Sequence, residues 1–270
     1  MKNITILINT SDGFEDCWDP FFKLFTTYWP DCKYPILLNT EFKEFSYRGL
    51  NIKSAKSNSA NHERRLTWSE CLINALNQVD TPFVLYMQED YFIDHKVNGH
   101  FIEELSQLMI SKKEIAFIGL TDAGNYPPFK SSIIDSRLWT VSQKGKYRVS
   151  TQAGIWKKEI LLSYLLPEEN GWMFEIFGTK RAQKRNELFL TVNRDLFNYR
   201  SNPVISYLLT GIIKAKWHEE MPRIFMQNGI EMDFNERGFY KEKPFLIRKI
   251  ETARKLLKLP SKFIKGIRGI

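Results

Sequence analysis

The segment Phe83-Val84-Leu85-Tyr86-Met87-Gln88-Glu89-Asp90 is an apolar run that breaks directly into two carboxylates. Thr81-Pro82 precedes it and Tyr91-Phe92-Ile93-Asp94 follows, so the acids lie between apolar segments rather than on a solvated charged face. A buried carboxylate is costly unless it is paired, hydrogen-bonded or close to a cation. The pattern reads as a buried strand delivering acids to a chemical site, or as a strand that ends in an ordinary acidic turn. A second string, Trp217-His218-Glu219-Glu220, lacks the second histidine of a zinc-protease motif, which disfavours that chemistry.

Positioning such acids needs a framework, and the first half of the chain supplies an alternating one. Ile4–Ile8 reads as a strand, Ser11-Asp12-Gly13 as a turn, and Trp18, Phe21, Phe22, Phe25 and Trp29 as an aromatic helix stripe. Strands are expected over Tyr34–Asn39 and Leu50–Lys53, then a polar loop over Ser57–His62. A helical stripe from Leu66 to Val79 precedes the acid-tipped strand. A further helix over Phe101–Met109 leads to a strand over Ile115–Leu120. This alternation predicts an α/β fold with a mixed, mostly parallel sheet flanked by helices. The second half is less regular. It is expected to hold an active-site or surface loop at Asp122–Phe129, a hairpin pairing Leu138–Val141 with Tyr147–Ser150, and Ala153–Trp156 opening into a helix over Lys157–Leu166.

Four segments in this order resemble the nucleotide-sugar glycosyltransferases of the GT-A (Rossmann-like) fold, in particular enzymes of bacterial capsule and lipopolysaccharide synthesis. They are Ile4–Gly13, Leu66–Glu70 leading to Phe83–Asp90, Ser150–Trp156, and Glu169–Glu175. The resemblance spans roughly residues 3–240. It implies that Gln88-Glu89-Asp90 occupies the place of the Asp-x-Asp motif, with an amide where the first aspartate is often found, and that Asp90 reaches a divalent metal. Mg²⁺ or Mn²⁺ suits oxygen ligands, and His218 would be a further ligand. The alternative is a metal-independent mode in which Lys180, Arg181, Lys184, Arg185 or Arg237 neutralises the donor diphosphate.

The resemblance also implies that Glu175 is the base that deprotonates the acceptor hydroxyl. A helix cap or a pairing with Lys180 or Arg181 is the other reading of this residue. Donor binding is expected of Thr10, Ser11, Asp12, Arg65, Trp68, Gln88, Glu89 and Arg237, although Asp12 also suits a turn or helix N-cap. Asp122 and the Gly154 backbone are expected to wall the pocket, Trp172 to stack on a sugar or pack in the core, and His218 alternatively to serve as a surface ion-pair partner.

The composition agrees with a globular chain: 270 residues, 43% hydrophobic, with 20 Phe, 11 Tyr and 7 Trp. Three cysteines with no close pair indicate neither a disulfide framework nor a structural zinc, and fit a reducing cytoplasm. Ile4–Ile8 is too short for the apolar core of a signal peptide. Residues 241–270 carry ten Lys/Arg against two Glu, which accounts for the whole net charge of +8. One domain is therefore expected over 1–240, followed by a tail over 241–270 in which Leu246, Ile247, Ile250, Ala253, Leu256 and Leu257 recur at helical spacing among basic residues. Such a tail suits peripheral contact with an anionic membrane on the inner face of the cell, or a helix packed on the core. Charge concentrated there, rather than spread over a docking face with aromatics, argues against nucleic acid. The function expected is transfer of a sugar from a nucleotide-sugar donor, UDP-linked, to a saccharide or lipid-linked glycan, with inversion. A nucleotidyl- or phosphotransferase and a non-catalytic membrane-associated glycan-binding protein are the alternatives.

Overall fold

The computed structural model describes residues 3–58, 64–199, 201–242 and 244. The expected basic tail from 245 onward and part of the expected polar loop lie outside the described residues.

Nine strands form one sheet: β1 Ile4–Asn9, β2 Ile36–Asn39, β3 Ile52–Ser54, β4 Phe83–Gln88, β5 Ile115–Gly119, β6 Phe129–Ser131, β7 Leu138–Val141, β8 Gly154–Lys157 and β9 Leu188–Val192. Their order is β3-β2-β1-β4-β8-β5-β9-β7-β6. Seven run in one direction, and β7 and β8 run against them. The expected mixed, mostly parallel sheet is therefore present. Residues alternate between its faces with the period of a strand: Ile4, Ile6, Ile8, Phe83, Leu85 and Met87 point into one apolar cluster, and Leu7, Val84 and Tyr86 into another. Helices α1 (Trp18–Tyr28), α3 (Gly99–Ser111) and α6 (Met221–Gln227) cover the first face. Helices α2 (Trp68–Leu76), α4 (Lys158–Tyr164) and α5 (Gly171–Ala182) cover the second.

The second half departs from expectation at three points. The helix expected over Lys157–Leu166 is present as α4, but residues 154–157 before it form the central strand β8, and Gly154 is required there because a Cβ would collide with the Phe117 ring and lie 3.0 Å from the Ile118 carbonyl. Leu138–Val141 pairs with β6 and β9, not with Tyr147–Ser150. The latter segment makes no strand because buried Arg148 turns inward, donating to the carbonyls of Val141 and Glu187 at 2.7 and 2.6 Å. Strand β9 has no counterpart in the expected elements.

Helix α2 starts with a capping box, in which the Thr67 hydroxyl accepts from Glu70 N–H at 3.1 Å and the Glu70 carboxylate accepts from Thr67 N–H at 2.8 Å. On the same face, buried Arg181 of α5 donates to both oxygens of Glu169 at 2.7 Å and to the Tyr164 carbonyl at 2.6 Å. This pairing fixes α5 against α4. Removing one partner of such a pair strands the other charge in the interior. Glu169→Ala is accordingly expected to lower stability by about 3–5 kcal/mol, read as a reduced midpoint in urea denaturation.

Candidate active site

Reversal of β8 is what assembles the acids. Because β8 runs antiparallel to both β4 and β5, with Gly154 opposite Tyr86 and Gly119, residues 150–153 enter the sheet at the edge where β4 delivers Gln88-Glu89-Asp90. Parallel pairing of β1 with β4 puts Asn9 level with Gln88, so the loop after β1 opens on this edge as well. The end of β2 is level with the end of β1, where the Asn39 amide donates to Asn9 Oδ1 at 2.8 Å.

Glu89 and Asp90 are 7% and 6% exposed. Burial pushes both carboxyls above their ordinary range, and Asp90 adds to the shift of Glu89. Asp90 Oδ2 accepts from the Thr210 hydroxyl and from Ile212 N–H at 3.1 Å, while its backbone carbonyl accepts from Gly211 N–H at 2.9 Å. Only glycine fits at 211, since a Cβ there would strike the Phe92 ring and lie 3.0 Å from the Asp90 carbonyl. The other oxygen, Oδ1, is buried with no hydrogen-bond partner.

Beyond this grip the chain folds into a two-stranded ribbon, β10 (Ile212–Ile213) and β11 (Lys216–Trp217), whose turn holds Lys214 and Ala215 at φ of 51° and 62°. Two successive positive φ values belong to the tight hairpin turn that matches strand twist. His218 follows, its N–H on the Gly211 carbonyl at 2.8 Å and its Nδ1 accepting from Glu220 N–H at 3.2 Å. The backbone thus places His218 beside the loop that grips Asp90.

Glu175 enters from the opposite flank on α5, a helix capped by the Asn170 side chain. Its Oε1 accepts from the Thr151 N–H at 2.8 Å and the Thr151 hydroxyl at 2.9 Å. Burial nonetheless raises its carboxyl above the glutamate range, the Thr151 bonds offsetting part of the shift. Glu89 and Asp90 follow β4 directly, and Tyr91 beside them donates to the carbonyl of Thr151, the residue that holds Glu175, so the three acids lie at one sheet edge.

A stacked tyrosine pair, Tyr91 and Tyr207, lies between the flanks with ring centroids 4.5 Å apart and planes 3° from parallel. Gln152 ties the two hydroxyls together, donating to Tyr91 at 3.2 Å and accepting from Tyr207 at 3.1 Å. Tyr91 in turn donates to the Thr151 carbonyl at 3.0 Å, and Tyr207 accepts from Ala153 N–H at 2.9 Å.

The loop after β1, expected to bind the donor, has much of its polarity turned inward. The Thr10 hydroxyl accepts from Trp18 Nε1 at 2.9 Å. Asp12 accepts from the N–H groups of Glu41, Phe42 and Lys43 at 2.8, 3.0 and 3.2 Å, and Glu41 accepts from Asp12 N–H at 3.3 Å. Arg65 joins this cluster through two 2.7 Å bonds to Glu41. Arg237 is brought to the same edge: it donates to Asp16 at 2.6 Å and to the Gly13 carbonyl at 2.7 Å, and its charge opposes the rise of the Glu89 pKa.

Five residues expected at the site have other partners. Trp68 packs on Phe174 and against Gly171, so it supports the helix of Glu175 rather than the β1 loop. Arg181 and Arg185 are committed to Glu169 and Glu187. Gly154 is a packed strand crossing rather than a pocket wall, and the Asp122 carboxylate accepts from Tyr199 N–H at 2.9 Å. Thr210, Gln152 and the Tyr91–Tyr207 pair were not singled out from sequence. The one available signal was the Thr-Gly step at 210–211.

No family profile matches the sequence, and no curated protein matches it. Solved structures similar in backbone course include TarS residues 1–349 from S. aureus, 12% identical, covering 87% of this chain and 68% of that one at a TM-score of 0.47. A longer TarS chain is 13% identical and covers 87% and 41% at 0.48. Glucosyl-3-phosphoglycerate synthase from Mycobacterium tuberculosis, in complex with Mn²⁺ and UDP-glucose, is 12% identical and covers 86% and 81% at 0.47. Likeness at this level assigns no role to any residue here.

Thr210 is the side-chain hydroxyl that donates to the Asp90 carboxylate. Hydrogen bonds to charged groups contribute about 1.5–3 kcal/mol. Thr210→Val should cost about that much at pH 7, measured by urea unfolding, while Thr210→Ser should recover most of it.

Proposed function

We propose that this chain is a GT-A-like glycosyltransferase that moves a sugar from a nucleotide-sugar donor, UDP-linked, to a saccharide or lipid-linked glycan of surface polysaccharide synthesis, with inversion. The observation that carries this reading is the approach of buried Asp90 and half-buried Glu175 to one sheet edge from opposite flanks, both held by hydrogen bonds.

In this reading the acceptor hydroxyl lies against Glu175. The carboxylate takes its proton while the hydroxyl oxygen bonds to the anomeric carbon from the face opposite the leaving group. The bond from that carbon to the diphosphate oxygen breaks, its electron pair leaves with the nucleoside diphosphate, and the new glycoside has inverted configuration. Thr151 fixes Oε1 so that the base is oriented before the acceptor arrives.

A diphosphate entering an edge lined by Glu89, Asp90 and Glu175 meets like charge, and the nearby Arg237 is already paired with Asp16. Protons on the raised carboxyls or a divalent cation would relieve that repulsion. Among the described residues no three His, Cys, Asp or Glu side chains are grouped to hold a metal ion. The unpartnered Asp90 Oδ1 still fits one ligand position of Mg²⁺ or Mn²⁺, ions often held by one or two carboxylates together with substrate phosphates and water. Asp90 and His218 are the residues we assign to that ion, which would neutralise charge on the departing diphosphate. Ser11, Arg65 and the backbone after β1 are assigned to the nucleoside. No helix among the described residues is long and apolar enough to cross a membrane. We assign the enzyme to the cytoplasm, with the basic residues of 241–270 against an anionic inner membrane.

Two outcomes test the roles. In a panel of nucleotide sugars screened for transfer and slow hydrolysis, Glu175→Gln should lower kcat by about 10²–10⁴ with the fold retained; unimpaired turnover would remove Glu175 as the base. Since a base must be ionised and burial holds this carboxyl above the usual glutamate range, the wild-type rate should climb as pH rises through that raised pKa. A rate flat with pH across and above the glutamate range would contradict this.

A further inference from the structure

On the flank of the site away from the β1 loop, two tyrosines stand together. Tyr126 and Tyr147 have ring centroids 5.2 Å apart with planes inclined at 36°. Tyr126 is 53% exposed and Tyr147 half-buried, so the pair shows aromatic surface to solvent. Tyr147 sits on strained backbone: its φ is +50°, in the left-handed region that costs a non-glycine residue about 1–2 kcal/mol.

A buried clamp maintains that conformation. Asn125, 3% exposed, donates through Nδ2 to the carbonyls of Tyr147 and Arg148 at 2.8 and 3.0 Å. Arg194 donates to the Asn125 carbonyl at 2.7 Å, and Tyr126 N–H donates to the Lys146 carbonyl at 3.3 Å. One asparagine thus fixes the backbone of one tyrosine and adjoins the other in sequence. Such strain persists only where the surroundings over-determine it, and it gathers at ligand sites.

The placement says which ligand. Tyr147 lies four residues before Thr151, whose N–H and hydroxyl hold Glu175. The Glu175 charge is felt at the Tyr147 phenol, where burial is the larger influence. The sheet order puts the β1 loop on the β2 side of Asp90 and the Asn125 loop, which follows β5, on the other side. A nucleoside on the β1 loop would therefore leave this flank free for the second substrate.

We propose that Tyr126 and Tyr147 form a platform for a sugar ring of the acceptor, the C–H face of the pyranose packing on the rings and its hydroxyls meeting the phenols, so that the next hydroxyl is presented to Glu175. Assignment of the bound sugar as acceptor rests on the transferase reading above; the saccharide site itself does not. Aromatic faces contribute apolar area with defined geometry, and the phenol supplies a hydrogen-bonding tip.

The test uses the full chain and methyl glycosides of glucose, galactose, N-acetylglucosamine and rhamnose, observed by saturation-transfer NMR. At least one should receive saturation on its ring protons from the wild-type protein. The signal should weaken about five- to tenfold in Tyr126→Ala and persist in Tyr126→Phe. Tyr126 is exposed enough for the alanine variant to fold, which an unchanged urea midpoint checks. No signal from any glycoside, or a signal indifferent to Tyr126→Ala, overturns the platform. UDP titration of the same samples separates the two readings. Tyr126-dependent saccharide binding without UDP binding would sink the transferase reading and keep the platform, whereas UDP binding without a Tyr126-dependent signal would do the reverse.

Discussion

Asp90 is a carboxylate at the end of an apolar strand, and the segment from Thr210 to His218 is arranged around satisfying one of its oxygens. An acid in that position would exact a desolvation penalty that no amount of neighbouring packing removes. The remedy comes from 120 residues away, where the Thr210 hydroxyl and the Ile212 N–H close on Oδ2 while Gly211 lets the two backbones touch. Once that contact is made, the ribbon after it has little freedom. Trp217 and Phe225 are packed with Phe92 next to Asp90, and His218 is tied back to Gly211. A polar requirement at one point thus becomes a packing constraint on a whole segment.

The second flank follows from strand direction. Had β8 run with its neighbours, residues 150–153 would leave from the far edge of the sheet and Thr151 could not reach a helix beside Asp90. The reversal brings Thr151 to the acids, Glu175 to Thr151, and Gln152 to the hydroxyls of two stacked tyrosines that brace both flanks. These interactions fix the arrangement of Asp90 and Glu175 through a network of buried and half-buried hydrogen bonds. The excess of negative charge at the edge has its own consequence. It disfavours an anionic substrate alone and favours one accompanied by a cation or by protons.

How much of this was legible beforehand depends on how local each signal is. Strands β1, β4 and β5 are short apolar runs bounded by turn residues, and α1, α2 and α3 repeat apolar residues at helical spacing, so each declared itself within a dozen residues. Strand β8 did not, because four residues running straight into a helix carry too little pattern to reveal their period. Tyr147–Ser150 looked like a strand for the opposite reason: its alternation is real, but Arg148 turns inward to bond carbonyls rather than outward to solvent. Asp90 and Glu175 were singled out through the order of motifs. Thr210, Gln152 and Asn125 were not, since each acts on partners 22–120 residues away and none belongs to a residue type that announces chemistry. Arg65 and Trp68 were expected to act together, but Arg65 joins Glu41 beside the β1 loop, whereas Trp68, three residues later, packs on Phe174 because it opens helix α2.

The central claim, that the acid edge is where a donor diphosphate is held, meets its most direct test in calorimetric titration of UDP with and without Mn²⁺, on the wild type and on Asp90→Asn. The account predicts binding by the wild type that Mn²⁺ strengthens, and loss of that strengthening in Asp90→Asn. Absence of binding by UDP and by other nucleoside diphosphates, with and without Mn²⁺, would contradict it.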